Sequence, residues 1–188
     1  MPPTPPGGTT PQVANNPNLD ERTYSYEYGA AVDSGTSDAP KWNMIRWASA
    51  IDPSRSPKTK DAATYDDKGA ANAPVVGEDW TLSFTMQGRR DTATGRYQPE
   101  LEALLACTGP EAVGTRATAH VMWFDKPADP TSKPNPDDAF EGYGTVDIKR
   151  GATDNDSIGQ FNVTITGQGR RTRIKNPYDP ATGTLKFT

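Results

Sequence analysis

Two eleven-residue segments of the chain, residues 80–90 (WTLSFTMQGRR) and residues 161–171 (FNVTITGQGRR), repeat one another and strongly limit the possible fold. Five of the eleven aligned positions are identical, and large apolar residues alternate with small polar residues in both segments. This period of two is typical of a β-strand that buries one face and exposes the other. The exposed faces are then polar and uncharged, with Thr81, Ser83, Thr85 and Gln87 in the first strand and Asn162, Thr164, Thr166 and Gln168 in the second.

The repeat has two explanations, and the sequence leaves both open. The two strands occupy equivalent places in one β-structure, each ending at a glycine kink with an arginine pair, or they are unrelated amphipathic strands that share a common kind of turn. If the first explanation holds, the two exposed faces form one smooth polar sheet surface.

Further segments with strand patterns predict that the rest of the chain is also mostly β. They are residues 42–51, 115–124, 140–148, 171–175 and 185–187. One helix is expected at about 98–108, because Pro99 suits the first helical position. Its apolar stripe consists of Leu101, Leu104 and Leu105. The predicted fold is an all-β sandwich or barrel with one short helix packed on it.

Leu, Ile, Val and Phe make up only 25 of the 188 residues and are nearly absent from three stretches. Residues 1–40 hold three of them, residues 52–78 hold two and residues 126–139 hold none. The sequence therefore predicts a β domain at 41–178 that carries a Pro/Gly-rich arm (1–40) and two long loops (52–78 and 126–139), followed by a C-terminal segment (179–188). Because structureless loops of this length are usually functional or disordered, we expect these segments to become ordered against something outside the subunit.

Several functional classes are disfavoured. A formal charge of −4 argues against a dedicated basic surface for nucleic acid, and no apolar run has the length of a transmembrane helix. One cysteine and one histidine cannot build a zinc site, no phosphate-binding glycine motif occurs, and the N-terminus lacks the regions of a signal peptide. Cys107 is best interpreted as a small buried hydrophobe, and nothing ties it to His120. We expect no catalytic residue, no metal, no cofactor and no enzymatic activity.

Five motifs follow one another along the chain. They are KWNMI at 41–45, TYDDKG at 64–69, EDWTL at 78–82, FNVTITGQG at 161–169 and NP at 176–177. In this order, over residues 40–178, the chain resembles the major tail tube protein of long, non-contractile-tailed (siphovirus-like) bacteriophages, particularly those of actinobacterial hosts. Tail tube sequences diverge strongly, so the order of the motifs carries more of the resemblance than any one motif.

The resemblance implies a β-sandwich with one helix that assembles into hexameric rings, in which strands of every subunit join into an inner β-barrel. The rings would stack into a tube around the tape measure protein, with a tail terminator at one end and baseplate or distal tail proteins at the other. This virion tube, assembled in the host cytoplasm, would later conduct double-stranded DNA. A neutral or acidic wall suits that passage, because each Lys or Arg that binds phosphate adds affinity.

Residues 52–78 correspond to the loop that reaches the next ring in this family. We hypothesise that Asp66 and Asp67, beside Lys68, meet an arginine pair of another subunit. The candidate arginines are Arg89, Arg90, Arg170 and Arg171. In the arm, a tail expected to be disordered through about residue 20 is followed by an alternating segment that could add to a neighbour's sheet edge through Tyr24, Tyr26 and Tyr28.

The lumen-facing candidates are the polar faces of the two repeated strands together with two acidic residues. They are Thr81, Ser83, Thr85, Asn162, Thr164, Thr166, Glu141 and Asp147. Alternation in residues 140–148 puts Glu141 and Asp147 on one face of a strand but does not say which face.

Two other functions fit the same strand pattern. A monomeric β-sandwich binding or decoration module would expose an aromatic platform, for which the candidates are Trp42, Trp47, Trp80 and Trp123. Because all four lie within strand patterns, we expect them in the core instead. The other alternative is a different ring-forming virion part, such as a tail terminator or a head–tail connector.

Overall fold

The computed structural model describes residues 22–36, 38–151 and 156–187. Its strands are β1 (Tyr28–Asp33), β2 (Trp42–Met44), β3 (Ala48–Thr59), β4 (Val75–Gln87), β5 (Thr118–Asp125), β6 (Ala139–Arg150), β7 (Gln160–Arg173), β8 (Tyr178–Asp179) and β9 (Thr184–Leu185). One α-helix, α1 (Pro99–Ala106), follows β4, and two short 3-10 turns lie at Tyr65–Asp67 and Gly114–Ala117. This architecture confirms the prediction of an all-β protein with one short helix. The predicted disordered tail lies outside the described residues.

Seven of the strands form a single antiparallel sheet that curls toward closure. The strand order is β2-β1-β5-β6-β7-β4-β3, so β2 and β3 lie at opposite edges although only three residues, 45–47, join them in the chain. A flat sheet would hold these edges about 29 Å apart, whereas such a link spans at most about 14 Å. The indole rings of Trp80 on β4 and Trp123 on β5, strands separated by two others, meet with centroids 5.0 Å apart.

The main core fills the concave side of this curled sheet. Alternate residues of the two repeated strands point into it, namely Trp80, Leu82, Phe84 and Met86 from β4 and Phe161, Val163 and Ile165 from β7. Helix α1 covers the core with Leu101 and Leu104, both fully buried. The buried carboxylate of Glu100 accepts a 3.3 Å hydrogen bond from the backbone N–H of Arg46. Within the described part of the chain, no helix is both long and apolar enough to cross a membrane.

A smaller core lies on the convex side of the sheet, under the two-stranded sheet β8–β9. Ala31, Met122, Phe124 and Ala139 are buried there, and Tyr178 and Leu185 pack onto them. The convex surface is thus covered at the β1–β5 end of the sheet. At the other end, over β6, β7, β4 and β3, it carries polar residues.

The structure differs from the prediction in the segments that are poor in large apolar residues. The predicted arm includes β1, a strand inside the sheet whose Ala30 and Val32 enter the main core and whose Ala31 enters the smaller one. A strand buried on both faces shows no alternation of apolar and polar residues. Its alanines are also not included in the count of Leu, Ile, Val and Phe. The predicted loop 52–78 is mostly a β-hairpin, because β3 and β4 pair from Asp52↔Ser83 to Thr59↔Val75.

The second predicted loop, 126–139, has no strand before Ala139, but it is held within the subunit. The backbone N–H groups of Lys126 and Ala128 donate to the Glu27 carbonyl and carboxylate, each at 3.0 Å. Farther along, the N–H of Asn135 donates to the Asp125 carboxylate at 2.7 Å. The loop is therefore held in place by contacts within its own subunit, and its contact with another molecule stays a prediction.

Candidate assembly surfaces

The two repeated strands lie side by side, and their polar residues face one another across the strand pair. The antiparallel register of β4 and β7 pairs Thr81 with Thr166, Ser83 with Thr164 and Thr85 with Asn162. Directly opposed residues share a face of the sheet, and here that face is the convex one, because the residues between them enter the main core. The expected smooth polar surface is present. Only the first strand ends at its glycine, as predicted. Strand β4 ends at Gln87, just before Gly88, whereas β7 continues through Gly169 to Arg173.

Both neighbouring strands extend this surface. On β6, Thr145, Asp147 and Lys149 lie opposite Thr166, Thr164 and Asn162. On β3, Ser54 and Asp52 lie opposite Thr81 and Ser83. We call the polar face the convex surface formed by Asp52, Ser54, Thr81, Ser83, Thr85, Thr145, Asp147, Lys149, Asn162, Thr164 and Thr166. Its lysine is paired, because the Lys149 ammonium lies 3.3 Å from the Asp147 carboxylate.

Glu141 lies on the same convex side as Asp147, but beside an aromatic cluster. The imidazole of His120 stacks on the Tyr143 ring at 4.2 Å, and its Nε2 lies 3.6 Å from the Glu141 carboxylate. The other ring nitrogen, Nδ1, lies 3.7 Å from Asp33.

Cys107, unlike His120, packs against the main core, where burial raises the pKa of its thiol. Cys107 and His120 therefore lie on opposite sides of the sheet.

The hairpin of β3 and β4 projects beyond the rest of the sheet. The last pair that joins β4 to β7 is Thr81↔Thr166, and β4 begins six residues earlier, at Val75. At about 3.3 Å per residue, this free part of the hairpin extends about 20 Å before its tip. We call this projection, residues 55–79, the hairpin arm.

The root of the hairpin arm is fastened to the subunit by charged residues. Glu78 accepts hydrogen bonds from Arg55 and, at 3.2 Å, from Arg171, and these partners, Arg55 foremost, lower the pKa of its carboxyl. The guanidinium of Arg171 also lies 4.3 Å from the centre of the Phe140 ring. Arg171, a candidate for contact with another subunit, is therefore engaged within its own.

The tip of the hairpin arm is a turn closed by its own side chains. The Asp67 carboxylate accepts hydrogen bonds from the Thr64 backbone N–H at 2.7 Å and from the Thr64 hydroxyl at 3.0 Å, and both lower the pKa of Asp67. Lys68 follows in the left-handed conformation with φ of 49°. Tyr65 is fully exposed, and the Asp66 side chain has no hydrogen bond or ion pair with any described residue. The tip thus presents Tyr65 and Asp66, while Asp67 is used to build the turn.

An aromatic groove lies at the opposite end of β4. Its wall includes Trp47, which is 55% exposed, and the guanidinium of Arg89 lies 3.6 Å from the centre of the Trp47 ring. A groove of about 870 Å³ runs from this residue past α1 to the C-terminal segment. Its apolar lining, which we call the Trp47 groove, comprises Pro40, Trp42, Met44, Trp47, Pro99, Leu185 and Phe187.

The tryptophans only partly follow the expectation of core burial. Trp80 and Trp123 are fully buried, and Trp42 is half-buried. The prediction is wrong for Trp47, because the predicted strand 42–51 breaks into β2 and β3 at a corner where Trp47 has φ of 56° and its side chain points outward.

The remaining arginine and tyrosine candidates for contact with another subunit lie in different environments. Arg90 donates a 3.0 Å hydrogen bond to the Tyr97 hydroxyl, and Arg170 is exposed. Tyr24 and Tyr26 stack on each other at 5.3 Å in an exposed turn. Tyr28 belongs to β1, and burial, followed by the Asp138 charge, raises the pKa of its phenol. The three tyrosines therefore do not form one extended strand that could add to a neighbour's sheet.

No family model and no curated protein matches this chain. The solved structures that share its fold include three from gene transfer agent and anti-feeding prophage particles. A chain in the tail of an empty gene transfer agent (GTA) particle, refined with helical and C6 symmetry, has a TM-score of 0.57 and 11% identity over 81% of this chain and 98% of its own. A chain in the virion of the native gene transfer agent particle has a TM-score of 0.57 at 10% identity, with the same coverage of both chains. A chain in the six-fold symmetrised baseplate of the anti-feeding prophage has a TM-score of 0.55 at 10% identity, covering 84% of this chain and 98% of its own.

These likenesses define a fold that occurs in subunits of six-fold symmetric, phage-like tail and baseplate particles. They span nearly the whole of each related chain. Among the described residues, no cluster of His, Cys, Asp and Glu side chains could hold a metal ion.

Proposed function

We propose that this chain is a structural virion protein whose six copies form a ring, and that the rings stack into the tail tube of a phage-like particle. The observation that carries the proposal is a fold shared, over 98% of the related chain, with a tail particle of C6 symmetry. The role proposed is mechanical and not enzymatic. The siphovirus-like tail and the actinobacterial host suggested by the sequence are part of this proposal.

The polar face is the natural candidate for the wall of the tube. Its hydroxyl and amide side chains interact weakly with phosphate, its aspartates repel it, and its one lysine, Lys149, lies 3.3 Å from the Asp147 carboxylate. Because every cation that binds phosphate adds salt-dependent affinity, such a wall lets duplex DNA pass without holding it. We therefore propose that all the polar lumen candidates named from the sequence, apart from Glu141, line the channel. Glu141 lies at the border, beside His120.

Six copies provide a channel of suitable width. If each subunit contributes four strands, β3, β4, β7 and β6, the inner barrel has 24 strands spaced about 4.8 Å apart, which gives a diameter on the order of 37 Å before tilt. This leaves room for the tape measure protein before ejection and for double-stranded DNA afterwards. The tail terminator and the baseplate would close the two ends of the stack.

The exposed edge of the sheet, β3, contains Pro53 and Pro57. Proline lacks an N–H group, so this edge offers few donors for pairing with a random strand. Isolated subunits are thereby protected from edge-to-edge aggregation, and joining of strands between subunits requires a neighbour that supplies the donors.

The test is electron microscopy of the purified, concentrated full-length chain in negative stain, together with size-exclusion chromatography. We expect six-fold rings and tubes with a hollow axis. A protein that stays monomeric at every concentration would contradict the proposal and favour the binding-module alternative. Single rings that never stack would favour a second candidate, a baseplate or terminator ring, which the likeness to the anti-feeding prophage baseplate supports.

A further inference from the structure

The geometry points to a head-to-tail contact between rings, in which Tyr65 at the tip of the hairpin arm inserts into the Trp47 groove of a second copy. This inference rests on the proposed function and names the partner surface for the arm. The contact requires that Tyr65 be exposed and held in a fixed position, and that the Trp47 groove fit its ring. It also requires that Tyr65 and the groove lie at opposite ends of the subunit.

Tyr65 is presented in a fixed position. The turn that carries it is closed by hydrogen bonds between Thr64 and Asp67, and the root of the arm is held by Glu78 and its two arginines. The phenol ring has no cover from its own subunit, since the side chain is fully exposed. A rigid, exposed aromatic side chain loses little conformational entropy on binding, and tyrosine is one of the residues enriched at interface hot spots.

The Trp47 groove matches this tip in shape and charge. Trp42, Trp47 and Phe187 line it as exposed or half-buried rings, a lining that suits a phenol. Arg46 and Arg89 bring positive charge to its rim, opposite in sign to the Asp66 carboxylate next to Tyr65. The acid of the lining, Glu100, is buried and accepts a hydrogen bond from the Arg46 backbone N–H. Trp47 holds a positive φ of 56°, a costly conformation for a bulky residue, at the corner that turns its side chain outward into the groove.

The tip and the groove lie at opposite ends of the same strand. The backbone N–H of Gln87, the last residue of β4, donates a 3.0 Å hydrogen bond to the Trp47 carbonyl, whereas Tyr65 lies beyond Val75, the first residue. The 13 residues of β4 span about 40 Å at about 3.3 Å each. A copy therefore cannot fill its own groove. A protruding residue at one end and a matching groove at the other give a heterologous contact, which generates an open stack of repeated units.

Two single variants separate the two halves of the contact. Tyr65→Ala removes the inserting ring, and Trp47→Gly removes the groove wall at a backbone conformation that suits glycine. Both side chains are exposed, so folding, checked by circular dichroism, is retained. We expect each variant to form rings but no tubes. The matched control is Val113→Ala, a large exposed residue that belongs to neither surface, and it should form tubes like the wild type.

Mixing the two variants is the decisive measurement. A Trp47→Gly ring still carries Tyr65 and a Tyr65→Ala ring still has the groove, so we expect particles of two stacked rings and no longer ones. Tubes of normal length from Tyr65→Ala alone, or no stacking in the mixture, would overturn the inference while leaving the tube function intact.

Charge reversal tests the polar part of the contact in the same assay. Asp66→Arg and Arg89→Asp should each stop stacking at the ring, and the double variant should restore tubes. If the double variant stacks no better than either single one, Asp66 does not face Arg89. If the wild-type chain forms no rings at all, the proposed function itself fails, which is a different outcome from a ring that cannot stack.

Discussion

The indole Nε1 of Trp80 donates a 3.1 Å hydrogen bond to the carbonyl oxygen of Gly169, joining the main core to the bend in β7. The Trp80 ring lies directly over Gly142 on β6 and Gly167 on β7. A Cβ atom at these two glycines would come within 2.6 and 2.4 Å of the ring. The two glycines therefore make the space in which the sheet curls around the indole, and this curl brings Trp80 to Trp123.

This packing predicts that Gly167→Ala destabilises the fold. The added methyl group would overlap the indole, and overpacking of this kind costs about 1–3 kcal/mol of unfolding free energy. Urea unfolding measures the effect. The control is Gly109→Ala, where nothing lies within 4 Å of the added atom and the change should stay within about 0.5 kcal/mol. Equal stability of the two variants would show that the indole moves freely.

The charged root of the hairpin arm predicts a stability difference that depends on pH. Glu78→Gln should lower the unfolding free energy at pH 7 by about 1 kcal/mol, since it removes a largely shielded carboxylate bound by Arg55 and Arg171. Its pKa is lowered in the folded state, so its contribution is complete above the ordinary value of 4.5 and is lost as the pH falls through the lowered pKa. The wild type and the variant should therefore converge in acid.

The matched control for Glu78 is Asp79→Asn on the same strand. Asp79 pairs with Lys58, but both side chains are about 60% exposed (62% and 59%), so the loss should be near zero. A wild-type advantage over Glu78→Gln that persists unchanged into strong acid would contradict the assigned charge interaction.

The attachment of the loop at 126–138 to Glu27 predicts local opening when that carboxylate is removed. Glu27→Ala should speed hydrogen exchange at the Ala128 amide, because this N–H loses its acceptor. The bonds from Ala128 and Tyr24 lower the pKa of Glu27, so protection should hold above the ordinary value of 4.5 and fall as the pH drops through the lowered pKa. Glu111→Ala, at an exposed position, should leave the exchange rate of Ala128 unchanged.

The proposed channel wall predicts that one added cation makes the tube retain DNA. Thr164 lies in the middle of the polar face, so Thr164→Lys would place six lysines in each ring. Assembled tubes of this variant should bind duplex DNA with an affinity that falls steeply with salt, whereas wild-type tubes should not. Thr164→Gln adds length without charge and should behave as wild type. Identical DNA retention by all three tubes would place Thr164 outside the channel.

Several features of the fold could be predicted because they depend only on residues that lie close together in the chain. The alternation in residues 80–87 and 161–166 identified two half-buried strands, and the leucine stripe after Pro99 identified α1. The strands that escaped prediction are those whose two faces are alike. Strand β1 is buried on both faces, and the outer part of β3 is exposed on both, so neither has the contrast that a period of two requires.

The candidate site was predicted only in part, for the same kind of reason. The polar residues of β4 and β7 were identified, because a strand's own alternation shows which of its residues share a face. The uses of Tyr28, Asp67 and Arg171 within the subunit were not, since each depends on a partner that the sequence pattern does not specify. The exposure of Trp47 follows from a corner in the backbone that no periodic pattern records.

The sequence by itself determined which side chains of the repeated strands face water and where the helix begins, because these depend on neighbours a few residues away. Only the tertiary structure decided that the two strands pair with each other, that β2 and β3 lie at opposite edges of a curled sheet, and that Tyr65 and Trp47 lie at opposite ends of β4. Strand pairing and sheet curvature are decided by packing between distant segments, here around the Trp80 indole and its glycines, and alternation along one strand carries no information about its partners.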